Sequence, residues 1–326
     1  MSLPTNSDSM KNPVTEFSAS GTLGDVFIVF CKLCGYHKRT GKHVRLHRYS
    51  RFPELDAPIG EFFDLIPYIE YVTPSHVVGS DINSIEDCKR LGEPHVSEFW
   101  DGDGRGNFTD DPEDVVFEPF PSIELQPEEL PSERLKVGIQ LFSGKVGGNF
   151  KGFSLRWITG LRRWLPESEV DVYLFGVEGV YSRKKVEKLC HENKIVNLVG
   201  QLDFVDWLRH IKAMDFFITP EGFSSFFAMS QKVKTLVVYV DYGMIGRIHP
   251  EWRKENIFVS AGWRNIGSRI SNRLFRAVKG RYPFLCPVKP EIVYSMIHSK
   301  FSYINRRELH MYWFKKYLRA YNHESE

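Results

Sequence analysis

The sequence predicts an α/β protein built from two parallel-sheet domains. Two stretches alternate short β-rich runs with helical runs, which is the signature of βαβ units. Between them lies an acidic, Gly- and Pro-rich stretch with no hydrophobic period. Glycines recur where the strands of both stretches stop, and in such sheets ligands sit beyond the carboxyl ends of the strands.

The chain opens with "MSLPTNSDSMKNP", which has no apolar core of a signal peptide and reads as a disordered lead-in over residues 1–14. The first domain, 15–130, begins with a strand at Thr15–Ser20, a turn, and a helix from Asp25 to about Thr40. A strand "HVRLHRY", a helix "LDAPIGEFFDLI" and a strand "YIEYVT" follow. After Val78 the pattern fails, and Asp101 to Pro131 reads as irregular loop or linker.

The second domain, 131–300, has the cleaner pattern. Its strands are "LKVGIQLF", "VDVYLFG", "KIVNLVG", "MDFFITP" and "KTLVVYV". The helices "LRWITGLRRWL", "SRKKVEKLCHE", "FVDWLRHIKA" and "FSSFFAMSQK" separate them, the order of a doubly wound domain. A last helix in 301–326, "RRELHMYWFKKYLRAY", is apolar on one face and basic on the other.

At 326 residues, with 42% hydrophobic and 26% charged residues, each domain can bury a core of its own. No apolar run reaches the ~18 residues of a membrane span. The five cysteines are odd in number and scattered, which argues for a reducing compartment and against a disulfide framework. "CKLCG" has the shape of a zinc knuckle, yet a structural site needs four ligands and no second such pair exists. On a helix Cys31 and Cys34 share one buried face.

The net charge of +2 conceals an asymmetry. Acids predominate from Arg51 to Glu133, and bases predominate from Trp263 to Arg319, interleaved with Trp263, Phe275, Tyr282, Tyr312 and Trp313. That basic stretch is either a solvated face or a contact for an anionic surface such as phospholipid or nucleic acid.

The functional stretches are the strand ends "SGTLGD", "FSGKVGGNFKG", "LFGVEG", "TPEGFSS" and "VDYGMIGRIHP". Asp25 admits two roles. It is either a first-turn acid favoured by the helix dipole, or a carboxylate beside a phosphate-binding turn, placed to take a proton. "PEGFSS" opens a helix with a glycine and two hydroxyls, a cradle for a diphosphate. "DGDG" at Asp101–Gly104 falls in the irregular stretch and reads as a solvated loop rather than a Mg²⁺ site.

Taken in order, "GTLGDVFIVF", "IQLFSGKVGGNFKGFSLRWITGL", "VYLFGVEGVYSRKKVEKL", "IVNLVGQLDFVDWLRHIKAMDFFITPEGFSSFFAMSQKVKTLVVY" and "DYGMIGRIHP" resemble the heptosyltransferase-type glycosyltransferases. These enzymes move a sugar from a nucleotide diphosphate onto a glycolipid or glycan. The resemblance spans most of the chain after Leu135 and a short piece before it. Where the family loop reads Asp-Thr-Gly-x-x-His, this chain has Pro220-Glu221-Gly222-Phe223-Ser224-Ser225.

The resemblance implies the GT-B architecture, two Rossmann-like domains facing across a cleft, with a C-terminal helix able to cross back. It implies a metal-independent inverting enzyme with no cofactor beyond its donor, an ADP-sugar being favoured. Asp25 is then the base. Gly21, Thr22, Gly24, Ser143, Lys145, Lys151, Gly176, Gly222, Ser224, Ser225, Gly243, Met244, Arg247 and His249 become donor contacts, with Lys145 or Lys151 the family lysine. Glu178 and Glu221 suit the ribose hydroxyls, since an acid after a strand bonds sugar hydroxyls. The acceptor is expected to be a glycan, glycolipid or other anionic molecule, with a nucleic acid as the lesser alternative. The expected location is cytoplasmic, with peripheral attachment at the inner face of a membrane. The competing reading is a degenerate transferase fold that binds nucleotide, glycan or nucleic acid without catalysis, followed by a zinc-dependent nucleic-acid module.

Overall fold

The computed structural model describes residues 14–49, 55–72, 85–92, 94–97, 110–143, 151–177, 181–239, 248–260 and 290–298. By its own contacts the chain divides into two units, Met1–Glu124 and Leu125–Glu326. Among the described residues no helix is long and apolar enough to cross a membrane.

The N-terminal unit runs β1 (Val14–Ser20), α1 (Leu23–Thr40), β2 (His43–Tyr49), α2 (Asp56–Phe63), β3 (Ile69–Val72) and α3 (Ile85–Leu91). The strands form a parallel sheet in the order β1-β2-β3. On the other side of β1, Ser18 N–H donates to Pro94 O (3.2 Å) and Val96 N–H to Ser18 O (2.9 Å). β1 is therefore flanked on both sides. Phe17 and Ala19 turn to the buried face, where Phe17 meets the Tyr36 ring of α1 edge-on at 5.0 Å. Phe30 closes on Phe62 of α2 in the same way at 4.9 Å.

Helix α1 is buried all round from Val26 to Tyr36, because a second layer covers the side away from the sheet. That layer is the irregular stretch 110–124, where Val115, Phe117 and Ile123 are buried without forming a strand. Lys32 Nζ donates to Asp111 Oδ2 at 2.5 Å and to Ser97 O at 2.8 Å, and Ser97 N–H donates to Asp111 Oδ1 at 2.8 Å. Seven residues after Asp111, Glu118 N–H donates to Cys31 O (3.0 Å), and a Cβ on Gly35 would lie 1.7 Å from Val116 O. The expected linker is irregular, as its composition indicated, but this part of it is bound tightly to α1. Residues 101–109, with the "DGDG" pair, lie outside the described residues.

Cys31 and Cys34 are buried in α1, and Tyr68 O–H donates to Cys34 Sγ at 3.3 Å. Burial pushes both thiols well above the ordinary thiol range. The thiolate is the reactive form. Iodoacetamide at pH 8 is therefore expected to leave both unlabelled in the folded protein and to alkylate both in urea, as read by peptide mass spectrometry. Labelling of either in the folded state would contradict this packing.

The C-terminal unit runs β4 (Leu135–Gln140), β5 (Phe142–Ser143), β6 (Lys151–Gly152), α4 (Leu155–Arg162), β7 (Val170–Phe175), α5 (Arg183–Asn193) and β8 (Val196–Asn197). It continues with α6 (Phe204–Lys212), β9 (Phe216–Pro220), α7 (Phe223–Ser230), β10 (Lys234–Tyr239), α8 (Pro250–Glu255), β11 (Ile257–Ser260) and α9 (Pro290–His298). The sheet has six strands in the order β11-β10-β9-β4-β7-β8, every pair parallel. Caps fix helix starts: the Ser154 side chain accepts from Trp157 N–H (3.2 Å) and Asp203 from Asp206 N–H (2.7 Å).

Several elements differ from those the sequence predicts. "KIVNLVG" forms strand only at Val196–Asn197, on the sheet edge. "LKVGIQLF" ends β4 at Gln140, and Phe142–Ser143 turns into a short antiparallel pair with Lys151–Gly152. A sixth strand, β11, joins the five expected, preceded by α8. In the N-terminal unit α3 forms where the pattern fails, and it packs on β1 and β2. The helix expected in 301–326 lies outside the described residues.

Candidate functional site

Sheet order alone marks one place in the C-terminal unit. Chain order proceeds from β4 outward to β7 and β8, then restarts on the other side with β9, β10 and β11. The reversal between β4 and β9 is a topological switch point, where adjacent connections leave in opposite directions and open a crevice. The residues there are Ser143 beyond β4 and Glu221–Gly222 beyond β9. Ser143 O–H donates to Glu221 O at 2.7 Å and joins the two strand ends. Gly222 sits against Ser143, whose Oγ would be 3.3 Å from an added Cβ. Gly176 ends β7 beside Leu141 and Phe142.

Further along the same edge, a cavity of about 50 Å³ opens between the end of β8 and the start of α5. Tyr181, Arg183, Asn197, Val199, Gly200 and Gln201 line it.

The N-terminal unit has a matching place at the end of β1, which lies between β2 and the 94–97 segment. Here Gly21 takes φ +111°, a conformation that L side chains rarely adopt. Thr22 is the N-cap of α1 in a reciprocal capping box with Asp25. The Thr22 backbone N–H and hydroxyl both donate to Asp25 Oδ2 at 2.8 Å. A Cβ on Gly21 would lie 2.5 Å from Asp25 Cβ, so the turn leaves room for this carboxylate only while residue 21 is glycine.

No family model matches the sequence, and no curated protein matches it. Solved structures do match its fold. The Escherichia coli ADP-heptose lipopolysaccharide heptosyltransferase II superposes with a TM-score of 0.56 at 13% identity, over 87% of this chain and 96% of that one. The glycosyl transferase family 9 protein of Veillonella parvula gives 0.55 at 12%, with the same shares. The dodecameric iron-containing heptosyltransferase TibC of E. coli gives 0.50 at 12%, over 78% of this chain.

The fold is the heptosyltransferase type, GT-B. The chain spans 64% of the length of TibC.

Within the heptosyltransferase-type fold the residues singled out by the sequence fare unequally. Gly21, Thr22, Gly24 and Asp25 gather in the first turn of α1 and the loop before it. Ser143, Glu221 and Gly222 meet at the switch point. Ser224 and Ser225 are buried, and their hydroxyls bond within the fold. Ser225 Oγ closes the helix start, donating to Gly222 O (2.7 Å) and accepting from Gly222 N–H (3.1 Å). Ser224 Oγ shares a hydrogen bond with Thr219 Oγ1 (2.9 Å). A serine after such a glycine serves as cap or ligand equally well, so sequence does not separate the two uses.

Glu221 is 4% exposed, its N–H bound to Val238 O. His249 is the N-cap of α8, its Nδ1 accepting from Glu251 N–H at 3.2 Å. Lys151 forms part of β6 through its backbone. Lys145, Glu178, Gly243, Met244 and Arg247 lie outside the described residues.

Arg48 is not among the residues that the sequence singles out. This side chain is fully buried and donates from one terminal nitrogen to Gly21 O (2.7 Å). The other donates to Asp56 Oδ1 (2.6 Å) and Tyr71 Oη (3.3 Å). Burial pushes the Tyr71 phenol up to about 12, so it stays neutral beside the guanidinium. A signal existed, since Arg48 occupies the apolar register of β2 with Val44 and Leu46. The cavity beside β8 is not singled out either. Its only mark is the polar run "GQ" after an edge strand.

Proposed function

We propose that the chain is an inverting glycosyltransferase that uses a nucleotide-diphosphate sugar and needs no metal. The observation that supports this reading is the Gly21–Thr22–Asp25 turn, a carboxylate oriented at the carboxyl end of a parallel strand in a heptosyltransferase-type fold. In the proposed reaction the acceptor hydroxyl attacks the anomeric carbon and gives its proton to Asp25. The bond from that carbon to the diphosphate oxygen breaks, and the pair of electrons leaves with the nucleotide diphosphate. A carboxylate is a weak base, so orientation has to supply much of the rate, and two donors on one oxygen fix that orientation.

The C-terminal unit is the donor side of the proposal. Amides at the start of α7, with Lys145, Lys151 and Arg247, would meet the charge growing on the leaving diphosphate. ADP-heptose is named for heptosyltransferase II, and an ADP-sugar is the first donor to try. The proposed acceptor is a glycan, glycolipid or other anionic molecule at the cytoplasmic face of a membrane, docked by the basic stretch after Trp263.

One observation favours a second reading, a binding module without catalysis. The hydroxyls of Ser224 and Ser225 are committed to the fold, which removes two of the donors expected to face a diphosphate.

The test is a thermal-shift screen with ADP-, UDP-, GDP- and dTDP-sugars on wild type and Asp25→Asn, then turnover of any binder with and without EDTA. The expected result is stabilisation of both proteins, with turnover that survives EDTA and falls about 10²–10⁴-fold in the variant. A donor that binds without turnover would establish the binding module. Stabilisation by none would end the donor-site reading, and turnover abolished by EDTA would end metal independence.

A further inference from the structure

One peptide plane joins the buried Arg48 to Asp25. The Gly21 carbonyl accepts from the Arg48 guanidinium at 2.7 Å, and the amide of the same peptide, Thr22 N–H, donates to Asp25 Oδ2 at 2.8 Å. The Gly21–Thr22 peptide is therefore held from both sides, by a cation on its oxygen and a carboxylate on its hydrogen. Hydrogen bonds in such a chain polarise one another, so a charge-assisted bond to the carbonyl makes the amide a better donor.

The guanidinium is itself fixed. Asp56 at the start of α2 holds it at 2.6 Å and Tyr71 of β3 at 3.3 Å, and the side chain has no exposed surface. Its anchors thus lie on two neighbouring elements. A residue that only filled the core there would be aliphatic, as Val44 and Leu46 are in the same register. A lysine would place one ammonium, whereas the planar fork reaches Asp56 and Gly21 together.

We infer that Arg48 is a positioning residue for Asp25, setting the Gly21–Thr22 peptide and through it the orientation of the carboxylate. The inference rests on the proposed role of Asp25 as base, but its structural half is measurable without any activity. Arg48 touches no substrate in this scheme and acts only through the turn.

The experiment combines amide hydrogen exchange with kinetics on the full chain. In Arg48→Met, the Thr22 amide is expected to exchange at least tenfold faster than in wild type, while amides of Cys31–Leu33 within α1 are unchanged. Donor turnover should fall at least tenfold in kcat with donor KM unchanged. Arg48→Met should cause no further loss when added to Asp25→Asn, because the two act as one unit. Arg48→Lys keeps the buried charge and serves if Arg48→Met fails to fold. It should show a smaller rise in Thr22 exchange and a smaller loss of kcat.

An unchanged Thr22 amide in both variants would overturn the inference, as would a loss of kcat that multiplies with that of Asp25→Asn. A wild type that turns over no donor would instead overturn the proposed function. In that event the exchange measurement alone supports or overturns the link from Arg48 to the turn.

Discussion

Replacing Lys32 by methionine is expected to destabilise the N-terminal unit by about 3–5 kcal/mol, the usual cost of removing one partner from a buried ion pair. The Lys32 and Asp111 side chains are 0% and 1% exposed, and their 2.5 Å contact is the centre of a small network with Ser97. Without the ammonium the Asp111 charge stays buried with its countercharge gone. Because the chain has two units, the readout should be local: hydrogen exchange of α1 peptides, with β9–α7 peptides as internal reference. Lys32→Met combined with Asp111→Leu should recover most of the loss, since buried pairs replaced together by apolar groups are often neutral. A cost below about 1 kcal/mol for Lys32→Met would match an exposed pair and contradict the burial described.

A second large effect is expected at Gly35. A Cβ there would sit 1.7 Å from the Val116 carbonyl oxygen and 2.7 Å from its carbon, both backbone atoms that no rotamer change can move. In Gly35→Ala either α1 or the 115–118 segment has to shift, at an overpacking cost of about 1–3 kcal/mol or more. The bond from Glu118 N–H to Cys31 O lies at the same crossing and should be lost with it. The measurement is exchange protection and protease sensitivity of 112–124, together with Tm. Gly60→Ala in α2 is the control, since the nearest atom to its Cβ would be Tyr71 Cδ1 at 4.0 Å. It should be neutral or stabilise by up to ~1 kcal/mol through helix propensity. Equal behaviour of the two variants would rule out the close approach at Gly35.

Both sites show where the sequence stops being informative. The β1–α1–β2 start is legible because local signals agree: short β-rich runs on either side, a Thr–Asp capping pair, and a helix long enough to show its character. The stretch 110–124 is not, because its burial depends on a lysine and a glycine placed far away in sequence on α1. Nothing in its own period reports them. Strand β11, at four residues, is too short for alternation to register, and Val196 is 43% exposed at an edge where only two residues pair.

The candidate site divides in the same way. Strand-end glycines located the turn at Gly21 and the junction of Ser143 with Gly222, since backbone geometry at those ends follows from fold class. Side-chain direction did not follow. Ser224 and Ser225 point inward, and the register of β2 places Arg48 on the buried face without naming its three partners.

The tie between Lys32 and Asp111 also has a meaning during synthesis. The two residues are 79 positions apart, so α1 leaves the ribosome long before its outer cover exists. At ~5–20 residues per second the wait is about 4–16 seconds, far longer than the ~1 μs a helix needs to form. Through that interval the helix carries Lys32 without its Asp111 partner. An ammonium is strongly hydrated, so a charge on that face opposes its burial against other apolar surfaces during the wait. The charge that is neutralised in the finished fold is therefore a cost to burying α1 before Asp111 has been made.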